Sequence, residues 1–191
     1  YPEGEQGYNI GRLMAFLGGF PPEVPGSTIN RLCGSSMQAI LAASAQISAG
    51  WGDCFLCGGI ESMSRVKRRG FNWSPNPTLE KEMPQAYINM GITAENVAEL
   101  HGISREEQEE FALNSHLKAV KANSEKNFSH ELVSINSDGS EISQDDCIRP
   151  ESTLDSMSKL RSAFVEGGSV TAATSSPLTD GAVFSLICSE E

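Results

Sequence analysis

Between Ser27 and Ser64 the period of the apolar positions changes twice. "STINRLC" carries β-branched Thr28 and Ile29 and closes on Leu32 and Cys33, a run that predicts a strand. "GSSMQAILAASAQISAG" then sets Met37, Ile40, Leu41, Ala45 and Ile47 at helical spacing among many alanines, with Gly50 as a stop. "DCFLCGGIESMS" returns to a continuous apolar run, which predicts a buried strand. Two strands joined by a crossover helix predict a right-handed βαβ unit and a parallel sheet covered on both faces.

From Arg65 to about Glu166 the chain turns polar, and helical signals alternate with irregular loops. "SREEQEEFALNSHLKAVKAN" opens with a capping box, Ser104 with Glu107, and continues as a charged helix with Phe111 and Ala112 on one side. "RGFNWSPNPTLEKEMP" has three prolines and no period, so it reads as loop. "SVTAATSSPLTDGAVFSLICSEE" then passes through a hydroxyl-rich turn, with Pro177 and Asp180-Gly181, into the short apolar strand "AVFSLIC". The chain therefore divides into a lid-like middle segment and a flanking part that returns to the sheet.

Composition narrows the classes. In 191 residues, 39% hydrophobic and 20% charged, there is material for one sizeable core carrying an insertion. The 14 basic against 25 acidic residues give a net charge of −11, and no basic stripe is interleaved with aromatics, which argues against a nucleic-acid partner. No secretory signal or long apolar span stands out, so a cytosolic or matrix compartment and no membrane partner are expected. Lys67, Arg68 and Arg69, with Arg65 before them, form the basic run and read as a solvated face.

The 5 cysteines, an odd number in a long chain, point to reduced thiols rather than a disulfide framework. Cys54 and Cys57 have the spacing of a redox or zinc pair, but they lie inside an apolar run with no second pair, so buried packing is the expectation. Cys33 is different. It stands where a strand gives way to a helix, and a helix start stabilises a thiolate through its peptide dipoles and unpaired N–H groups. The small residues of "CGSS" leave room for a substrate carbonyl near the backbone. Position alone leaves two readings open, a nucleophile or a small hydrophobe ending a buried strand. A base is lacking nearby: the 3 histidines, at 101, 116 and 130, fall in the middle segment and read as surface groups.

"INRLCGSSMQAI", "GGIESMS", "MGITAENVAELHGISREEQEEFALNSHLKA", "RPESTLDSMSKLRSAF" and "VTAATSSPLTDGA" together resemble the thiolase family, acyltransferases that cleave or form 3-ketoacyl-CoA. The blocks run in the family's order across nearly the whole chain, and "NRLCGSSMQ" is closer to the degradative 3-ketoacyl-CoA type than to the biosynthetic acetoacetyl-CoA type. The resemblance implies an α/β fold, a thiolase-like half-domain with a mixed sheet covered by helices, made of residues 1–64 and 167–191. An inserted, mainly helical loop domain for CoA would occupy residues 65–166.

The resemblance also implies roles. Cys33 corresponds to the cysteine acylated during ping-pong transfer, its N–H helping to hold the thioester oxyanion. Met90 corresponds to a residue lining the pantetheine and acyl pocket, Arg149, Ser156 and Phe164 to contacts with the nucleotide end of CoA, and Ala172 and Ser176 to contacts along the pantetheine. Read on their own, Arg149 is a surface cation, Phe164 core filler and Ser176 a turn hydroxyl. Asn89 stands where many acetoacetyl-CoA thiolases carry histidine, which points to a different acyl range. The catalytic histidine, a second cysteine and an asparagine-held water belong to the family's second half, so this chain reads as an inactive fragment of a dimeric or tetrameric enzyme, cytoplasmic or, in a eukaryote, mitochondrial or peroxisomal. CoA and acyl-CoA would be its substrates, with no metal or other cofactor. The alternatives are a biosynthetic thiolase and a CoA-binding or assembly module without catalysis.

Overall fold

The computed structural model describes residues 1–190; Glu191 lies outside them. In chain order the regular elements are α1 (Ile10–Leu17), α2 (Ser35–Ser48), β1 (Cys54–Ser62), α3 (Pro77–Glu82), α4 (Met90–His101), α5 (Arg105–Ser124), β2 (Ile135–Ser137), β3 (Ser140–Ile142), α6 (Leu154–Ser158) and β4 (Asp180–Cys188). They fall into two units, Tyr1–Ser74 with Leu178–Glu191 and Pro75–Pro177. This division lies later than the change in composition: residues 65–74 stay with the first unit and 167–177 go with the second. Val66 is fully buried in unit 1, and the Glu3 carboxylate accepts from the Phe71 N–H at 2.5 Å, so the chain past Arg65 is tied back to the first residues. Residues 169 and 170 are held by a carboxylate of α4 in unit 2.

Unit 1 is built on an antiparallel ladder in which β1 pairs with β4 from Cys54↔Cys188 to Ser62↔Asp180. The two apolar runs form the expected strands, but β1 is not the buried strand its continuous apolar run predicts: Cys57 is buried, whereas Cys54 and Leu56 are exposed because no further element covers their face among the described residues. The parallel βαβ unit does not form: among the described residues both strand pairings are antiparallel, and no strand precedes α2. The first residues of "STINRLC" instead lie against the start of α1, and the last ones enter the turn that opens α2. Thr28 Oγ1 accepts from the Gly11 N–H at 3.1 Å and donates to Asn9 Oδ1 at 2.8 Å, while Gly11 and Gly26 let the two backbones approach so closely that a Cβ on either would collide with the other segment. The β-branched signal was real, but these hydrogen bonds hold the segment in place of a neighbouring strand.

The α2 helix keeps its predicted span and ends before Gly50, whose φ of +71° suits a residue without a Cβ. It packs on β1 through small groups: Ala43 is buried, Cys57 Sγ reaches the Ala39 carbonyl at 3.6 Å, and Gly59 leaves the space into which Ser36 Oγ projects. Burial pushes the Cys57 thiol pKa up. On the other face of the ladder, Leu56, Phe184 and Leu186 are exposed.

Unit 2 is mainly helical. Its α4 starts on the Asn89 side chain, which accepts from the Gly91 N–H at 3.0 Å, and ends at Gly102 in the left-handed region. Both halves of the Ser104–Glu107 capping box form at the start of α5. Along α5 the expected apolar side is reversed: Phe111 is 80% exposed, and the buried residue is Glu109, held by Arg105 Nε at 2.7 Å. The "RGFNWSPNPTLEKEMP" segment is not loop throughout. Asn76 caps α3 by accepting from the Thr78 and Leu79 N–H groups, and Pro77 supplies a preset φ at its first position. No helix among the described residues is long and apolar enough to cross a membrane.

Candidate functional site

Cys33 lies in the turn that starts α2, and its side chain is exposed. The preceding Leu32 has a φ of +50°, an unusual conformation for a bulky residue. The surrounding bonds sustain it. Asn30 Oδ1 accepts from the Leu32 N–H at 3.0 Å, Ser35 Oγ accepts from the Arg31 N–H at 2.9 Å and donates to the Leu32 carbonyl at 2.6 Å, and the Gly34 N–H donates to the Arg31 carbonyl at 3.1 Å. Backbone strain of this kind persists where neighbouring contacts over-determine it, and it gathers at functional turns. The turn sets Cys33 one residue ahead of Gly34, the cap of α2. Cys33 is exposed and lies in no strand ladder, so it does not end a buried strand.

Cys54 and Cys57 do not make a CxxC site. Three residues apart on a strand, they point to opposite faces, Cys54 exposed and Cys57 buried against α2. Among the described residues no group of three or more His, Cys, Asp or Glu gathers as metal ligands.

The remaining predicted residues all lie in unit 2. Met90 opens α4 and is 66% exposed. Phe164, half-buried, lays its ring directly over Gly91, where any Cβ would strike the ring carbons. These two predicted residues are thus brought to one end of α4. Arg149 is exposed, and its guanidinium makes no hydrogen bond or ion pair with the described residues. Its N–H donates to His116 Nδ1 at 3.2 Å, so this half-buried histidine of α5 anchors the Arg149 segment rather than standing on a free surface. Ser156 closes the capping box of α6, its hydroxyl accepting from the Thr153 N–H at 3.2 Å and donating to the Thr153 carbonyl at 2.8 Å. Ala172 begins a short 3₁₀ turn, Ala172–Thr174, capped by the fully buried Thr171; Ala172 and Ser176 are both exposed.

Two charged residues that the sequence did not single out hold these segments. The Glu95 carboxylate on α4 accepts from the Ser169 N–H at 2.9 Å, the Ser169 hydroxyl at 3.0 Å and the Val170 N–H at 2.9 Å. Desolvation is the largest single influence on its pKa and acts upward, but the hydrogen bonds together outweigh it and hold the group below the ordinary value of 4.5. Arg105, besides pairing with Glu109, donates through Nη2 to the carbonyls of Met157 at 3.0 Å, Ser158 at 3.2 Å and Leu160 at 2.6 Å, closing the C-terminal end of α6. The Arg105–Glu109 spacing is a visible helix pair, whereas Glu95 has no sequence neighbour to reveal its partners. A shallow concavity of about 390 Å³ in unit 2 is lined by Glu95, Glu99 and Glu166 and contains none of the predicted residues; its acidic rim is unsuited to a phosphate.

The sequence matches the family model "Thiolase, N-terminal domain" over residues 2–191. A 3-ketoacyl-CoA thiolase of Pseudoalteromonas translucida is 47% identical, aligned over 97% of this chain and 49% of its own length. Among solved structures, the dimeric peroxisomal thiolase of Saccharomyces cerevisiae superposes with a TM-score of 0.84 at 36% identity, covering 93% of this chain and 47% of that one. Human mitochondrial 3-ketoacyl-CoA thiolase, solved in complex with CoA, gives a TM-score of 0.78 at 35% identity over 94% of this chain and 48% of that one. The chain thus spans about half the length of the curated relatives it matches.

Proposed function

The chain belongs to the thiolase family, with the α/β fold of a thiolase-like half-domain, and on that premise we propose that it carries the nucleophile and the CoA-holding loops of a 3-ketoacyl-CoA thiolase. The Cys33 sulfur gives up its proton and attacks the 3-keto carbon, the bond between the second and third carbons breaks, the released carbon takes up one proton so that acetyl-CoA leaves, and the shortened acyl group stays on sulfur. A second CoA thiol then takes the acyl group and frees Cys33. The observation that carries this reading is the exposed cysteine at a strained, hydrogen-bonded turn opening α2.

Within unit 2, Arg149 offers a guanidinium with no internal partner to the phosphates of CoA, and Phe164 offers a ring to the purine. Met90, Ala172 and Ser176 are exposed, as contacts along pantetheine and acyl chain require. The Ser156 hydroxyl is committed to capping α6, so its contribution to CoA is to fix the local backbone. The histidines have other places in unit 2: His116 is engaged with Arg149, His101 ends α4, and His130 is exposed. General acid–base steps contribute about 10²–10⁴-fold, so this chain by itself does not sustain turnover. Asn89, serving as the cap of α4 where many acetoacetyl-CoA enzymes have histidine, favours the degradative reading. The enzyme works as a homodimer or homotetramer on CoA thioesters, in the cytoplasm or in a mitochondrial or peroxisomal matrix. Calorimetric titration with CoA tests the assignment. Binding that weakens about tenfold in Arg149→Ala is expected from a lost charge-assisted contact; equal binding by the variant, or none by the parent chain, contradicts it.

A further inference from the structure

We propose that Cys54 and Cys188 form a cross-strand dithiol site that reacts with a small-molecule disulfide and closes into an intramolecular bond. The two residues are directly opposite in the ladder, at the outer end where β1 begins and β4 finishes. The adjoining Ser189 N–H donates to the Asp53 carbonyl at 2.9 Å, which makes 53/189 a hydrogen-bonded pair. Antiparallel pairs alternate, so 54/188 is of the other type, in which the Cα atoms approach to about 4.5 Å. A disulfide spans Cα separations of roughly 4.4–6.8 Å. Residues paired across a ladder project from the same face, so the two thiols share a side of the sheet.

Both thiols are exposed, and the face they share carries the exposed Leu56, Phe184 and Leu186. Cys57, nearest to Cys54 in sequence, is turned to the other face and occupied with the Ala39 carbonyl, so it does not compete. The reaction is a pair of exchanges. One thiolate of the pair attacks a sulfur of the disulfide RSSR, giving a mixed disulfide and RS⁻; the other attacks the protein sulfur and expels the second RS⁻. The protein loses two electrons and two protons, and RSSR is reduced to two RSH. The bond ties the ends of β1 and β4, and the loop it closes contains all of unit 2.

The test is disulfide mapping by mass spectrometry, without reduction, on the whole chain equilibrated in mixtures of reduced and oxidised glutathione. The expected product is a linked peptide pair containing Cys54 and Cys188, in about tenfold excess over any other linkage. In Cys188→Ser the link is expected to be replaced by a glutathione adduct on Cys54. In Cys57→Ala the 54–188 link is expected to persist, which separates cross-strand closure from a CxxC reaction. Predominant 54–57 linkage, independent glutathionylation of Cys54 and Cys188 in the parent chain, or linkage between two chains overturns the proposal.

Discussion

The turn around Cys33 and the loops of unit 2 are held by contacts of very different reach along the chain. Around Cys33 the hydrogen bonds run between residues 30 and 35, and α2 seats on β1 where glycine leaves side chains out, Gly59 accommodating Ser36 Oγ while Gly58 accommodates the Phe184 ring from the facing strand. In unit 2 position is set by charged side chains reaching backbone groups far along the chain, Glu95 to residues 169 and 170 and Arg105 to three carbonyls beyond Ser156. Short-range hydrogen bonds give the turn its shape, and small neighbours leave its surface open, as the proposed nucleophile requires. Ionic clamps gather several loop segments that bury few apolar side chains, Ala98, Met157 and Val170 among them, as the proposed recognition of a long, flexible ligand requires. The two devices also respond differently to solution conditions, since packing is insensitive to pH and a carboxylate clamp is not.

The largest separation between them is expected from Arg105→Met. It leaves the buried Glu109 carboxylate without its partner and strips three carbonyls of a donor, so unit 2 loses about 3–5 kcal/mol, read by urea denaturation. Exposure of Cys33 to alkylation should not change in this variant, and a change would break the distinction between the devices. Gly58→Ala comes next: the added Cβ meets the Phe184 ring and the Val183 carbonyl, and overpacking of this kind costs about 1–3 kcal/mol, read by thermal unfolding.

The smallest effect is that of Glu95→Gln, about 1–2 kcal/mol near neutral pH from weakened hydrogen bonds. Its sign with pH is fixed by the lowered folded-state pKa. The stabilisation by Glu95 is fully present above the ordinary value of 4.5 and is lost as pH falls from there through the lowered value. The difference between parent and variant, followed by chemical denaturation across this range, should therefore shrink on acidification. A difference that stays constant would remove the charge from the explanation.

The pattern of the sequence exposed the parts governed by local chemistry. The α2 helix, the β1 and β4 strands and the Ser104–Glu107 box follow from apolar spacing and capping residues a few positions apart. "STINRLC" misled because β-branching reports a preference for extended backbone and is silent on whether another strand lies alongside; Thr28 found Asn9 and Gly11 instead. The α3 helix is too short to show a period, though Asn76-Pro77 is a start signal in its own right. Glu95 was illegible because its partners lie 74 and 75 positions away. Phe111 misled in the other direction, an exposed aromatic beside a buried carboxylate that only the Arg105 contact explains.

Alkylation rates at each cysteine test the central claim most directly, because Cys33, Cys54, Cys147 and Cys188 are all exposed and differ in their place in the fold rather than in access. Peptide mapping after short exposures of the reduced chain to iodoacetamide should show Cys33 modified about tenfold faster than the other three, as befits a thiol at a helix start, with buried Cys57 slowest. Equal rates at the four exposed positions would mean that the turn confers no reactivity, and the assignment of Cys33 as the acyl-accepting residue would be contradicted.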